Sequence, residues 1–290
     1  MSESRPLISV NGVIDAGLSP LDRGLAYGDG LFETCLVKAG VIPLWPWHKA
    51  RLLGSAARLQ LKCDLPRLYG YMRELLASLP AAEGVLKIIL TRGQGGRGYR
   101  LPADTQPSIC LVFMPGALPL QQGVVAHLCR QRLMPSPSLA GLKHLNRLEQ
   151  VLARAEWPAT DDSREGLLLD AQGRVVEATA SNLFVVSDGR LLTPDLSLCG
   201  VAGIMRQLIL ERLAPSLHIP CCVTHLGPED LYRADEIFLC NSIRGIWPVL
   251  GLEMPARALV KGTVTARLQE ALAGFLESTL TAAEACPWRE

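Results

Sequence analysis

The chain opens with short apolar runs separated by turn residues. Residues 7–10, Asn11-Gly12 and residues 13–14 carry the pattern of a β-hairpin, because Asn-Gly accepts the positive φ angles that a two-residue turn requires. Apolar residues then recur at three- and four-residue spacings over 46–61 and 66–79, each stretch with a proline near its start, which predicts two helices. The short, branched-rich runs at 85–91 and 108–114 predict buried strands, so the first half is α+β. Residues 115–123 are turn-like and mark a boundary, giving an N-terminal α+β domain over 1–117, a second domain over 118–280 and a tail over 281–290. The second domain begins with a strand at 124–128. A proline- and serine-rich stretch at 135–138 follows, then a segment around Lys143 where a helix looks set to begin and run to about Trp157. Strands at 165–170, 174–178, 182–187 and 190–193 are joined by Gln172-Gly173 and Asp188-Gly189 turns, a succession that predicts an antiparallel sheet. A helix over 203–213, strands near 221–224 and 236–240, and a last helix over 264–276 complete the pattern.

Composition narrows the function classes. The 290 residues carry 29 Lys and Arg against 28 Asp and Glu, without the basic excess of a protein that grips a phosphate backbone, so nucleic acid is not an expected partner. No apolar stretch approaches the length of a membrane span, and neither a membrane partner nor export is expected. The nine cysteines form no two-residue-spaced pair of the zinc or redox kind and fall mostly in apolar runs. Buried free thiols in a reducing cytoplasm are the expectation, and no metal site is indicated.

Four places carry candidate chemistry. Lys143 interrupts the apolar run of residues 139–149; apolar or cationic surroundings disfavour the charged form of a lysine, and His144 and Arg147 lie close by, so a nucleophilic amine is expected. A surface lysine opening a helix is the bland alternative. Glu177 stands in the strand-like run 175–184, where a carboxylate needs a positive partner: a structural arginine, or the pyridinium nitrogen of pyridoxal phosphate. Glycines before the helix at 203 expose backbone N–H groups that suit a phosphate, and Arg51 adds a guanidinium able to bind one through two parallel bonds. Asn241 and Ser242 end a strand and supply polar side chains, where an ordinary turn is the alternative.

Together these segments resemble the class IV, or branched-chain-type, pyridoxal-phosphate aminotransferase family over nearly the whole chain. The blocks at 27–33 (Tyr-Gly-Asp-Gly-Leu-Phe-Glu) and 177–184 are common to the wider family, whereas Gly84 to Tyr99 and Leu139 to Leu152, with Lys-His-Leu-Asn-Arg-Leu-Glu-Gln inside it, resemble the 4-amino-4-deoxychorismate lyase branch. The resemblance implies a two-domain fold type IV enzyme, with a smaller N-terminal domain and a larger C-terminal domain built on a mostly antiparallel, barrel-like sheet with flanking helices. It implies that Lys143 binds pyridoxal 5'-phosphate covalently, that Glu177 contacts the pyridine nitrogen, and that Arg51, the Val201 and Ala202 backbone, Asn241 and Ser242 hold the phosphate. Thr34 is implied as proton donor, and Arg97 and Tyr99 as ligands of a substrate carboxylate, in a homodimer with its site near the domain and subunit interface and a functional link to aminodeoxychorismate synthase. Transamination of D-amino or branched-chain amino acids with the same lysine is the alternative activity.

Overall fold

Asn11 and Gly12 take φ angles of 52° and 86° and turn strand β1 (Leu7–Val10) back onto β2 (Val13–Ile14), the hairpin the sequence predicts. The computed structural model describes residues 5–77, 83–104, 106–116, 122–280 and 286. The end of the helix predicted at 66–79, most of the turn segment proposed as a boundary, and the tail except Cys286 therefore lie outside the described residues. By contacts the chain forms two compact units: Met1–Leu118 with Lys143–Asn146 and Leu276–Glu290, and Pro119–Leu142 with Arg147–Phe275.

In the first unit, helix α1 (Arg23–Tyr27) starts on the side chain of Asp22, which accepts from the Gly24 N–H at 2.7 Å, and ends on Gly28 at a φ of 65°. Strand β3 (Gly30–Val37) follows, then helices α2 (Trp45–Arg58) and α3 (Leu65–Ala77), and strands β4 (Gly84–Thr91) and β5 (Ser108–Pro115). The five strands pair in the order β2-β1-β5-β4-β3, all antiparallel. One face of the sheet, with Cys35, Leu86, Leu111 and Phe113, forms the core with Leu52 of α2 and Met72 of α3. Alternation along β3 places Leu31, Glu33 and Cys35 on that buried side and leaves Phe32 and Thr34 on the half-buried side.

The second unit is built on strands β6 (Val124–Leu133), β7 (Arg164–Asp170), β8 (Val175–Ala178), β9 (Asn182–Ser187), β10 (Arg190–Pro194), β11 (Cys221–Thr224), β12 (Glu236–Asn241), β13 (Gly245–Leu252) and β14 (Arg257–Ala258). Helix α4 (Leu148–Arg154) precedes β7. After β10 a helical run passes from α5 (Ile204–Leu208) through a π-helical turn (Ile209–Leu213) into α6 (Ala214–Ser216). Helix α7 (Pro228–Arg233) precedes β12, and α8 (Thr263–Thr279) is the last helix. The sheet runs β11-β10-β9-β12-β13-β6-β7-β8, with β14 beside β13.

Antiparallel pairs prevail, but the sheet is mixed: β10 with β11, β13 with β6, and β6 with β7 are parallel. Tight turns join the antiparallel neighbours β7 to β8, β9 to β10 and β12 to β13, whereas α4 and the helical run of α5 and α6 form crossovers long enough for parallel pairing. The expectation of an antiparallel sheet is corrected to that extent. The chain is α+β as predicted, and among the described residues no helix is long and apolar enough to cross a membrane.

Candidate active site

Lys143 does not open a helix. The segment Lys143–Asn146 lies along the free edge of β3: the Phe32 N–H donates to the Lys143 carbonyl at 3.0 Å, the Leu145 N–H donates to the Gly30 carbonyl at 3.0 Å, and His144 bridges Leu31. This antiparallel register sets Lys143 opposite Phe32, and its Nζ stands 4.3 Å from the centre of the Phe32 ring. Helix α4 begins only at Leu148. Thr34, two residues beyond Phe32, shares the half-buried face of β3. Its cross-strand partner is Lys87, whose Nζ lies 5.0 Å from the same Phe32 ring, so a second ammonium that sequence reading missed faces this patch.

On the buried face of the same strand, Glu33 accepts from Arg51 Nε at 2.8 Å and Arg51 Nη2 at 2.5 Å, and meets His48 Nδ1 at 2.6 Å. An ionised carboxylate only accepts, so His48 donates from Nδ1. Burial pushes the His48 imidazole below its ordinary value despite the pull of Glu33, which leaves the ring neutral and the Glu33 charge answered by Arg51. Burial alone would raise the Glu33 carboxyl, but the Arg51 charge and the bonds from His48 and Arg51 hold it at about 2. Arg51 is thus fixed through one edge of its guanidinium.

In the second unit, Glu177 on β8 is 4 % exposed. Its Oε1 accepts from Gln150 Nε2 at 3.2 Å and its Oε2 from the Val201 N–H at 2.7 Å. The Ala202 N–H donates to the Gly141 carbonyl, and Asn182 Nδ2 donates to the Val201 carbonyl at 2.9 Å. The Val201 and Ala202 amides, expected to serve a phosphate, are therefore engaged within the protein, because this loop is tied down ahead of α5. The amides that lack acceptors by helix geometry are those of the first turn of α5, Ile204 and Met205.

Asn241 also spends its side chain locally. Its Nδ2 donates to the Ala180 carbonyl at 3.2 Å, and its Oδ1 receives the Ile243 and Arg244 N–H groups, an Asx turn that presents Ser242. Among the described residues, Gln150 Oε1 and the Ser181 hydroxyl are buried without a hydrogen-bond partner. Gln150 bonds Glu177 directly, and Ser181 lies in the turn that follows β8. Such atoms call for a polar ligand or water.

Arg97 and Tyr99 sit in the loop after β4 and are exposed, Tyr99 to 84 %. The Tyr99 ring meets that of Tyr27 edge-on at 5.4 Å. The nine cysteines are free thiols. No group of His, Cys, Asp and Glu among the described residues is arranged to hold a metal ion.

The model for amino-transferase class IV matches residues 30–252. The chain is similar to the aminodeoxychorismate lyase of Vibrio harveyi, 37 % identical over 267 residues that cover 90 % of this chain and 97 % of that protein. Its structure resembles that of 4-amino-4-deoxychorismate lyase from Pseudomonas aeruginosa, with 49 % identity, a TM-score of 0.84, and coverage of 92 % of this chain and 98 % of that one. It also resembles the branched-chain amino acid aminotransferase of Escherichia coli, with 27 % identity, a TM-score of 0.80, and coverage of 92 % of this chain and 93 % of that one. With a family match across most of its length and the fold of these enzymes, the chain belongs to the class IV aminotransferase family.

Proposed function

We infer that this chain is an aminodeoxychorismate lyase, a pyridoxal-phosphate enzyme that converts 4-amino-4-deoxychorismate into 4-aminobenzoate and pyruvate, in the folate pathway. Its likeness to two enzymes of that name, over 90 % and 92 % of the chain, carries the reading. The residues also fit the cofactor. Glu177 is a buried carboxylate bonded to Gln150, whose Oε1 is buried without a partner, and the docking of Lys143 on β3 sets an amine on the same face as a threonine hydroxyl.

When bound, pyridoxal phosphate supplies a protonated ring that accepts the electron pair left behind when a substrate C–H is deprotonated. Lys143 is the residue that would hold it covalently and, as a free amine, would take the proton from the ring carbon that bears the substrate amine. Glu177 would keep the pyridine nitrogen protonated, and its own bonds to Gln150 and Val201 fix its orientation. Arg51, Ser242 on its Asn241-built turn and the backbone around Val201 and Ala202 hold the phosphate, the first-turn amides of α5 supplying N–H donors there. Thr34 protonates the departing ether oxygen or orders a water that does. Arg97 and Tyr99 bind a substrate carboxylate; the substrate has two. Loss of the ring proton and of enolpyruvate leaves an aromatic ring, so the driving force resides in the substrate. We further read the enzyme as a cytoplasmic homodimer working with aminodeoxychorismate synthase. The exposed apolar side chains of Leu148, Val151 and Leu152 on α4 are surface that a second copy would cover.

Incubation with aminodeoxychorismate should release 4-aminobenzoate and pyruvate in equal amounts, and Lys143→Ala should lose both. Equal product from the Lys143→Ala protein, or conversion only of D-alanine or L-leucine by the unaltered one, would refute the assignment.

A further inference from the structure

Arg23 stands outside the chemistry above, yet its side chain is only 5 % exposed. It is the first residue of α1, and each face of its guanidinium is used. Nε donates to Asp29 Oδ2 at 2.9 Å, Nη1 to the Gly98 carbonyl at 3.0 Å and Nη2 to the Tyr99 carbonyl at 3.5 Å. Its Cζ lies 4.9 Å from the centre of the Tyr27 ring, which in turn meets Tyr99. Two of these partners are carbonyls in the loop that carries Arg97 and Tyr99, some 75 residues away in sequence. The backbone adds to the attachment: the Arg23 N–H donates to the Gly93 carbonyl at 2.9 Å, and Asp22 bridges Gln94. A Cβ at Gly95 would come within 2.6 Å of Arg23 Cδ, so the loop lies tight against this side chain.

The other end of the clamp is anchored by Arg92, which grips Asp29 with Nε at 2.8 Å and Nη2 at 3.0 Å. Arg92 also donates to the Gln60 and Leu59 carbonyls, both at 2.8 Å, at the end of α2. Burial would raise the Asp29 carboxyl, but hydrogen bonds from Arg92 and Arg23 hold it below its ordinary range, so both guanidiniums keep an ionised partner. A half-buried Asp29 bridging two buried arginines carries a desolvation cost that apolar packing would avoid. What an apolar group could not do is hold two loop carbonyls while presenting the neighbouring Arg97 to solvent.

We propose that Arg23 is a positioning residue for substrate binding: it fixes the carbonyls of Gly98 and Tyr99 and thereby the direction in which Arg97 meets a substrate carboxylate. The proposal rests on the reading of Arg97 as a carboxylate ligand. Lysine at position 23 keeps the charge but lacks the planar fork needed to join Asp29 to the loop.

The holoenzyme of Arg23→Lys is expected to show a KM for aminodeoxychorismate raised about tenfold or more, with kcat changed by less than about threefold and an unaltered cofactor absorbance, because uniform binding is lost rather than transition-state chemistry. Tryptic cleavage after Arg97 and Arg100, followed by mass spectrometry, should accelerate at the same time. Arg97→Ala should raise KM by itself, and adding Arg23→Lys to it should raise KM no further. A folded Arg23→Lys enzyme with unchanged KM and unchanged cleavage overturns the clamp, as does a full additional KM increase in the double variant. If Arg97→Ala leaves KM unchanged, the carboxylate reading of Arg97 fails instead, and accelerated or unchanged cleavage in Arg23→Lys still decides whether the clamp exists. Should Arg23→Lys not fold, Tyr27→Leu removes the ring shared by Arg23 and Tyr99 from a half-exposed position; faster cleavage there supports the clamp and unchanged cleavage overturns it.

Discussion

Gly203 shows how closely the loop before α5 is fitted. Its φ of −71° suits any residue, so space alone excludes a side chain: a Cβ there would fall 1.9 Å from Asn182 Oδ1. Asn182 cannot turn away cheaply, because it is buried and its Nδ2 holds the Val201 carbonyl. Gly203→Ala should cost about 1–3 kcal/mol of stability by overpacking. Because the same loop carries the Val201 amide that bonds Glu177, affinity for pyridoxal phosphate should fall as well. Urea unfolding and a cofactor titration check both, and an alanine variant indistinguishable from the parent in each would show that Asn182 is free to move. Lys143 and Glu177 were conspicuous in the sequence because each places a charge in an apolar run. Gln150, Asn182 and Lys87 were not, since each acts through a neighbour distant in the chain: Glu177, Val201 and Phe32. Arg51 was visible as a basic residue on a helix, but its pairing with Glu33 was not, because only the register of β3 turns that carboxylate toward α2.

Elements with ordinary signals were legible. The Asn-Gly and Asp-Gly turns and the strands from β7 to β10 fall within a residue or two of their predicted bounds, and the two proline-led helices start one residue before theirs, α2 ending three residues early at Arg58. Several elements escaped, the short α7 and β14 among them, and three of the others did so for evident physical reasons. Strand β3 carries Glu33 on its buried face, which spoils the apolar alternation; β13 contains Pro248 and a bulge between Val249 and Gly251; α1 is a single capped turn. The helix expected at Lys143 starts late because pairing with β3 outweighs local propensity over Lys143–Asn146. That pairing meets α1 at Gly28, whose carbonyl accepts from Asn146 Nδ2 at 3.2 Å. A Cβ at Gly28 would stand 2.3 Å from Asn146 Oδ1, on a residue that also needs its φ of 65°. Gly28→Ala should therefore cost about 1–3 kcal/mol through strain and displacement together, and should loosen the Lys143 segment from β3. Hydrogen exchange at the Phe32 and Leu145 amides measures the loosening directly. Unchanged protection of both would mean that the segment is held elsewhere.

Across the whole molecule, buried ionisable groups bound the pH range in which the fold is stable. Glu33 falls from an ordinary 4.5 to about 2, where the Arg51 charge and the bonds from His48 and Arg51 overcome burial; Asp29, Glu156 and Asp170 are also lowered by their partners against burial. For a depressed carboxyl the unfolded chain takes up protons first, so the stabilisation is complete above the ordinary value and is lost as pH falls toward the folded one. Burial lowers His48 as well, which adds to the loss on acidification below its ordinary 6.5, while Glu165, raised by burial, opposes it. On the alkaline side, burial raises Cys63, Cys110 and Cys199 to about 11 and Cys129 to about 12 from 9.0. The unfolded thiols then ionise first, and stability declines above about 9. Glu33→Gln isolates the acid branch. Near neutrality it leaves the partly buried Arg51 without its carboxylate counter-charge and should cost about 3 kcal/mol. As pH falls from about 4.5 toward 2 the parent loses that same contribution by protonation, so the two unfolding free energies should converge. Urea unfolding of both proteins at matched cofactor saturation across this interval gives the difference; a gap that stays constant with pH would mean that Glu33 is not the carboxylate whose charge holds this core together.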